Sequence, residues 1–323
     1  MAKGPAYNRF LHDAPGGPVQ RLPYRLSPPP IRDYPNPPKV LFPPGACDTH
    51  LHIFGPQAKF PLSAAKINGP FSDVLYEDAL LQDALSMLDA CGIDRAILVG
   101  TMLYGYRYDP MVHALTSAPD RLRGVTILDP ESTDGELELL DRAGVVGIRL
   151  SAAFGALLDE RTMRRATERD WTLEVLTQDW ERWKDALFRA DGRIVIEHMG
   201  EMDPSAGWES PTWKFLLEAL DRGNVWVKLS ARTSHQQDFP FDDLLPFARK
   251  LIEHAPERIL YGSDWPHPVY FGRPMVSDVS LADMMLEWAP DEATRNRIMV
   301  ENAVEAYNWP LDFGVGSPPS AER

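Results

Sequence analysis

Eight short runs rich in β-branched and apolar residues recur along the chain, at 46–54, 95–100, 123–128, 145–151, 171–177, 194–199, 225–230 and 259–265. Segments with helical spacing separate them, at 77–90, 110–118, 134–143, 161–169, 180–190, 212–222 and 241–254. Blocks at 281–288 and 291–307 close the chain. The first segment shows the logic: Ala79, Leu80, Ala84, Leu85 and Leu88 share one side, and Cys91-Gly92 supplies a C-terminal stop. Strands alternating with helices build βαβ units and a parallel sheet. Eight repeats point to an α/β fold closed as a (β/α)8 TIM barrel rather than an open sheet. An open dinucleotide-binding sheet also needs a Gly-rich turn after its first strand. Here Phe54-Gly55-Pro56 follows instead, and no G-x-G-x-x-G occurs.

Residues 1–45 break the pattern. They hold twelve of the 30 prolines, including Pro28-Pro29-Pro30 and Pro37-Pro38, with no periodicity of either kind. Such a segment is extended and makes no core of its own. Tyr7, Phe10, Tyr24, Tyr34 and Phe42 favour an arm docked on the barrel or on a neighbouring subunit, with disorder as the alternative. The expected organisation is an arm over 1–45, a barrel over 46–309 and a tail over 310–323, with homo-oligomerisation through the arm. A formal charge of −14 argues against nucleic acid or an anionic membrane surface as partner. No long apolar run suggests a leader or a membrane span, and Cys47 and Cys91 read as buried reduced thiols. A cytoplasmic location is the expectation.

Asp48-Thr49-His50-Leu51-His52 ends the first strand. Side chains alternate along a strand, so His50 and His52 share a face, at the C-terminal end where barrel enzymes build their sites. Two imidazoles so placed can share a metal ion or a polarised substrate oxygen. A lone H-x-H pair is a weak signal by itself. His198, in Glu197-His198-Met199-Gly200, and Asp264, in Gly262-Ser263-Asp264-Trp265-Pro266-His267-Pro268, each fall where a strand reaches the same rim. Arg149 ends the fourth strand; an arginine in a barrel mouth needs an anion, from a substrate carboxylate or from a protein acid. Arg232 invites the same argument after the seventh strand. His267 is a candidate substrate donor or a turn histidine, and Tyr104, Tyr106 and Tyr108 are candidates to line the pocket. His12, His113, His235 and His254 read as solvent-exposed or packing residues.

With these motifs in place, residues 46–309 resemble the amidohydrolase superfamily, most of all the branch that includes 2-pyrone-4,6-dicarboxylate lactonase. The resemblance rests on Cys47 through Pro56, Gly147-Ile148-Arg149, Glu197-His198-Met199-Gly200 and Gly262 through Pro268. It implies a lactonase-type hydrolase of aromatic-compound catabolism. Asp264 would activate water as general base, while His50, His52 and His198 polarise a lactone carbonyl. It implies either no required cofactor or a single divalent metal, zinc foremost, held by His50, His52, His198 and Asp264. The dinuclear ligand set of other relatives is missing, since strand four offers Arg149 and strand five has no histidine. Arg149 and Arg232 match the branch's carboxylate-binding arginines, so the substrate is expected to be a small, anionic molecule. Glu201 stands where the dicarboxylate lactonases carry a basic residue, and 151–158 has no Lys or Arg, which points to fewer or differently placed carboxylates. The alternatives are a metal-dependent decarboxylase of a small unsaturated or aromatic acid, and a non-catalytic ligand-binding barrel.

Overall fold

A computed structural model describes residues 25–63, 74–101, 103–151, 159–230, 237–268 and 275–310. Its centre is one eight-stranded sheet in which every pairing is parallel. The strands are β1 (Cys47–Leu51), β2 (Arg95–Val99), β3 (Leu122–Thr126), β4 (Val145–Ser151), β5 (Thr172–Leu176), β6 (Ile194–Ile196), β7 (Val225–Leu229) and β8 (Ile259–Tyr261). Each pairs with its sequence neighbour, as βαβ repetition dictates. The ring closes just above β1 and β8. Asp264 N donates to His50 O at 2.8 Å, His52 N donates to Trp265 O at 2.7 Å, and Thr49 Oγ1 donates to Tyr261 O at 2.6 Å. The expected (β/α)8 barrel is therefore the fold observed.

Helices α1 (Leu81–Cys91), α2 (Asp109–Ser117), α3 (Asp134–Ala143), α4 (Glu160–Thr167), α5 (Trp180–Arg189), α6 (Pro211–Leu220) and α7 (Leu245–His254) cover the strands. Local chemistry sets their ends: Thr133 and Glu136 form a capping box on α3, and Gly144, in the left-handed region, stops it. Leu88, Leu115, Leu137, Leu140, Leu216 and Leu251 bury against the outer faces of the strands. The chain's last segment is more broken than its periodicity suggests. Asp278–Asp283 and Met285–Trp288 are separate helices, and a π-helical turn at Arg297–Glu301 interrupts the run from Glu292 to Tyr307. That run ends beneath the barrel, where Ala306, Tyr307 and Trp309 pack with Cys47, Ile97, Val125, Val195, Trp226 and Leu260 as a floor. No helix among the described residues is long and apolar enough to cross a membrane.

From residue 25 to residue 45 the Pro-rich arm lies along the barrel. Arg25–Leu26 pairs with Val74–Leu75, Arg32 meets Asp83 at 3.1 Å, and Asp283 Oδ1 accepts from the backbone of Lys39 and Val40 at 2.7 and 2.9 Å.

Candidate active site

The barrel's seam is also where the candidate residues meet. Cys47 belongs to the floor cluster, whereas His50 and His52 face the rim, so simple alternation does not hold along all of β1. A register shift against β2 between Asp48 and Leu51 supplies the change of phase. Asp48 Oδ1 then accepts from both His50 N and Ser263 N at 3.0 Å, tying β1 to the loop after β8. Gly262 permits the approach: a Cβ there would stand 2.8 Å from His50 Cβ. His198, Asp264 and His267 all take positive φ, at 48°, 62° and 64°, a conformation uncommon away from glycine and concentrated at functional sites.

Four predicted residues converge. Asp264 Oδ1 lies 3.6 Å from His50 Nε2 and 3.4 Å from His52 Nε2. The His50 ring is 4.9 Å from that of His52 and 4.6 Å from that of His198, centroid to centroid. All four side chains are buried. Burial pushes the Asp264 carboxyl up, but the His52 contact and the field of His198, His50 and His52 outweigh it. The group is held well below the usual carboxylate range. His50 is held well below the usual imidazole range, first by burial and then by the ammonium of Lys228. The centre therefore combines a carboxylate with at least one neutral imidazole.

Each ring has a partner on its far side. His52 Nδ1 bonds the Val99 carbonyl at 2.8 Å, His198 Nδ1 meets Ser230 Oγ at 2.6 Å, and His50 Nδ1 meets Lys228 Nζ at 3.2 Å.

The remaining candidates behave differently. Arg149 meets an anion, but the protein supplies it: Nε and Nη2 fork onto the two oxygens of Glu197 at 2.7 and 2.5 Å, and Nη1 donates to Gly100 O. The planar fork of Arg149 is thus engaged by a carboxylate of the protein itself. Arg232 lies outside the described residues. His267 is buried, and its Nε2 bonds Asp278 Oδ1 at 2.7 Å; Tyr34 of the arm donates to the other oxygen of Asp278 at 3.0 Å. The Tyr104 hydroxyl accepts from Gly55 N at 2.6 Å, and Tyr104 borders a small cavity with Ile53, Val99 and Thr101. Tyr108 bonds Ser132, and Tyr106 is exposed. Glu201 accepts from Gln178 at 3.0 Å. His113 and His254 are exposed, while His12 and His235 lie outside the described residues.

Sequence reasoning missed Glu174 on β5 and Lys228 on β7, both fully buried inside the barrel and 2.7 Å apart. The available signal was a lone charge in the middle of each apolar strand, Thr-Leu-Glu-Val-Leu and Val-Trp-Val-Lys-Leu.

Among the described residues, two sets of side chains bring their donor atoms within 4.8 Å of one another: His50, His52 and Asp264, and His50, Glu197 and His198. In the second set Arg149 already forks onto both Glu197 oxygens, leaving that carboxylate only its remaining lone pairs. In the first set, His52 and Asp264 fit a single divalent ion. A carbonyl only accepts, so Nδ1 of His52 carries a proton, and a neutral His52 ring would offer its Nε2 lone pair to such an ion. Whether His50 completes the set depends on where its proton sits.

A parallel barrel with a carboxylate and three imidazoles gathered at its C-terminal mouth defines a TIM-barrel enzyme. Residues 47–309 match the amidohydrolase family, and the chain belongs to that family. It is 34% identical over 277 residues to 4-sulfomuconolactone hydrolase of Rhizobium radiobacter, covering 82% of this chain and 90% of that protein. It is 30% identical over 279 residues to D-galactarolactone isomerase of Agrobacterium fabrum, covering 82% and 91%. A solved apo structure from Agrobacterium tumefaciens superposes with a TM-score of 0.75 at 28% identity, covering 84% of this chain and 99% of that one.

Proposed function

We propose that this enzyme hydrolyses a small lactone by attack of water on the ring carbonyl, with Asp264 as general base. The observation that carries the reading is the buried Asp264 carboxyl group set 3.4–3.6 Å from two imidazole nitrogens at the barrel mouth. Asp264 takes a proton from water as the water oxygen bonds to the carbonyl carbon. His50 and His198 stabilise the oxyanion that develops. When the ring C–O bond breaks, the proton returns from Asp264 to the departing alkoxide, and the product is the open hydroxy acid. The two relatives favour this substrate class, since both are named for lactones although their reactions differ. With Arg149 engaged by Glu197, Arg232 is the arginine proposed to meet an acidic group on the substrate.

If His52 and Asp264 held a divalent ion, it would supply Lewis-acid polarisation of the carbonyl. The proposed chemistry uses the protein's own groups and expects turnover to survive chelation. A lactone panel assayed with and without chelator, with products resolved by mass and NMR, tests the reading. Gain of one water and an open chain is the expected result. A product of unchanged mass with a relocated ring, or activity abolished by chelator and restored by zinc, would overturn it.

A further inference from the structure

We propose that Lys228, held by Glu174, is a positioning residue that fixes His50 with its proton on Nε2, making it a hydrogen-bond donor to the substrate carbonyl rather than a metal ligand. The inference rests on the lactone reading of the site, but its evidence lies below the site, inside the barrel.

An ammonium group has three donors and no acceptor, so any atom it hydrogen-bonds must present a lone pair. Lys228 Nζ lies 2.6 Å from Thr49 O and 3.2 Å from His50 Nδ1. It also makes an ion-pair contact with Glu174 Oε1 at 2.7 Å, off the line of a well-directed hydrogen bond. A carboxylate at that distance in a sealed interior keeps the lysine charged. Tyr307 donates to the other Glu174 oxygen at 2.9 Å, so the pair is secured from the barrel floor. If His50 Nδ1 carried the proton, two donors would face each other at 3.2 Å. Glu174 Oε1, at 3.5 Å from that nitrogen, stands farther away than the ammonium at 3.2 Å. Nδ1 is therefore the acceptor, and the proton of the neutral ring sits on Nε2.

Among the described residues, Nε2 of His50 is a buried polar atom with no hydrogen-bond partner. As a donor it stands 3.6 Å from Asp264 Oδ1, beyond hydrogen-bond distance, and a lactone carbonyl oxygen would meet it more closely. His52 is wired in the opposite sense, with Nδ1 donating to the Val99 carbonyl, so that its neutral ring would present a lone pair at Nε2. The two histidines of one motif thus divide the labour, one donating and one accepting. A ring with hydrogen on Nε2 has no lone pair there for a metal, so the apparent triad His50, His52 and Asp264 is short of one ligand.

The test begins with the wild-type protein, 15N-labelled at histidine, with His50 assigned by loss of its signals in His50→Asn. Nitrogen shifts showing Nε2 protonated and Nδ1 unprotonated are expected, and the reverse pattern would overturn the proposal. The second arm is Lys228→Met/Glu174→Gln, which removes both buried charges together. It should leave KM within a few-fold, lower kcat about 10–100-fold, shift the His50 signals and tighten zinc binding by titration calorimetry at least ~10-fold. Unchanged His50 shifts with unchanged kcat would equally overturn it. Should wild type open no lactone, the function fails while the nitrogen shifts still decide the proton's position.

Discussion

Two cation–carboxylate pairs flank the same three imidazoles, both sealed from solvent. Arg149–Glu197 joins the ends of β4 and β6 through two parallel hydrogen bonds, with Nη1 on Gly100 O and Glu197 Oε2 3.5 Å from His198 Nε2. Lys228–Glu174 joins β7 to β5 deeper in the barrel, and its ammonium reaches past its partner to Thr49 O and His50. The first pair is a frame: it shapes the mouth beside His198. The second sets the chemical state of a neighbouring ring. The planar fork of arginine matches one carboxylate, while the three donors of lysine can serve several acceptors at once.

The comparison breaks most sharply under single truncation. Arg149→Met strands a buried Glu197 carboxylate and should lower unfolding stability by about 3–5 kcal/mol, measured in denaturant. Arg149→Met/Glu197→Leu should recover most of that loss, as a pure frame allows; failure to recover would give this pair a role beyond framing. Gly262→Ala tests how tightly His50 is held against its partner, because the new Cβ would stand 2.8 Å from His50 Cβ. It should cost about 1–3 kcal/mol and lower kcat more than it raises KM. Tyr307→Phe removes the hydroxyl that secures Glu174 Oε2 from the floor and should cost about 1–3 kcal/mol in the same denaturant titration. Asp283→Ala touches neither pair. It removes the acceptor of Lys39 N and Val40 N and should cost about 0.5–1.5 kcal/mol, read as easier proteolysis of the arm with kcat unchanged.

Much of this arrangement is legible in the amino-acid sequence alone. β4 and α3 run where periodicity places them, at Val145–Ser151 and Asp134–Ala143, because apolar spacing and a Thr133 cap with a Gly144 stop act locally. His50, His52, His198 and Asp264 can be gathered because barrel topology sends every strand end to one rim. Lys228 and Glu174 cannot, since a lone charge in an apolar strand does not say what it faces. The Lys228–His50 contact spans 178 residues of sequence. For Arg149 the rule that a buried arginine needs an anion is sound; only the cross-barrel pairing of β4 and β6 ends shows that the anion is the chain's own. The phase change in β1 is hidden for a similar reason, because a register shift belongs to two strands and not to one.

The central claim is that Asp264 moves the proton of the attacking water, and Asp264→Asn tests it most directly. Asn keeps the size of the side chain and an oxygen toward His50 and His52 but accepts no proton at working pH. On the best lactone substrate, the account predicts kcat lower by about 10²–10⁴-fold in a folded protein. An Asp264→Asn enzyme that retains kcat within a few-fold of wild type would contradict it.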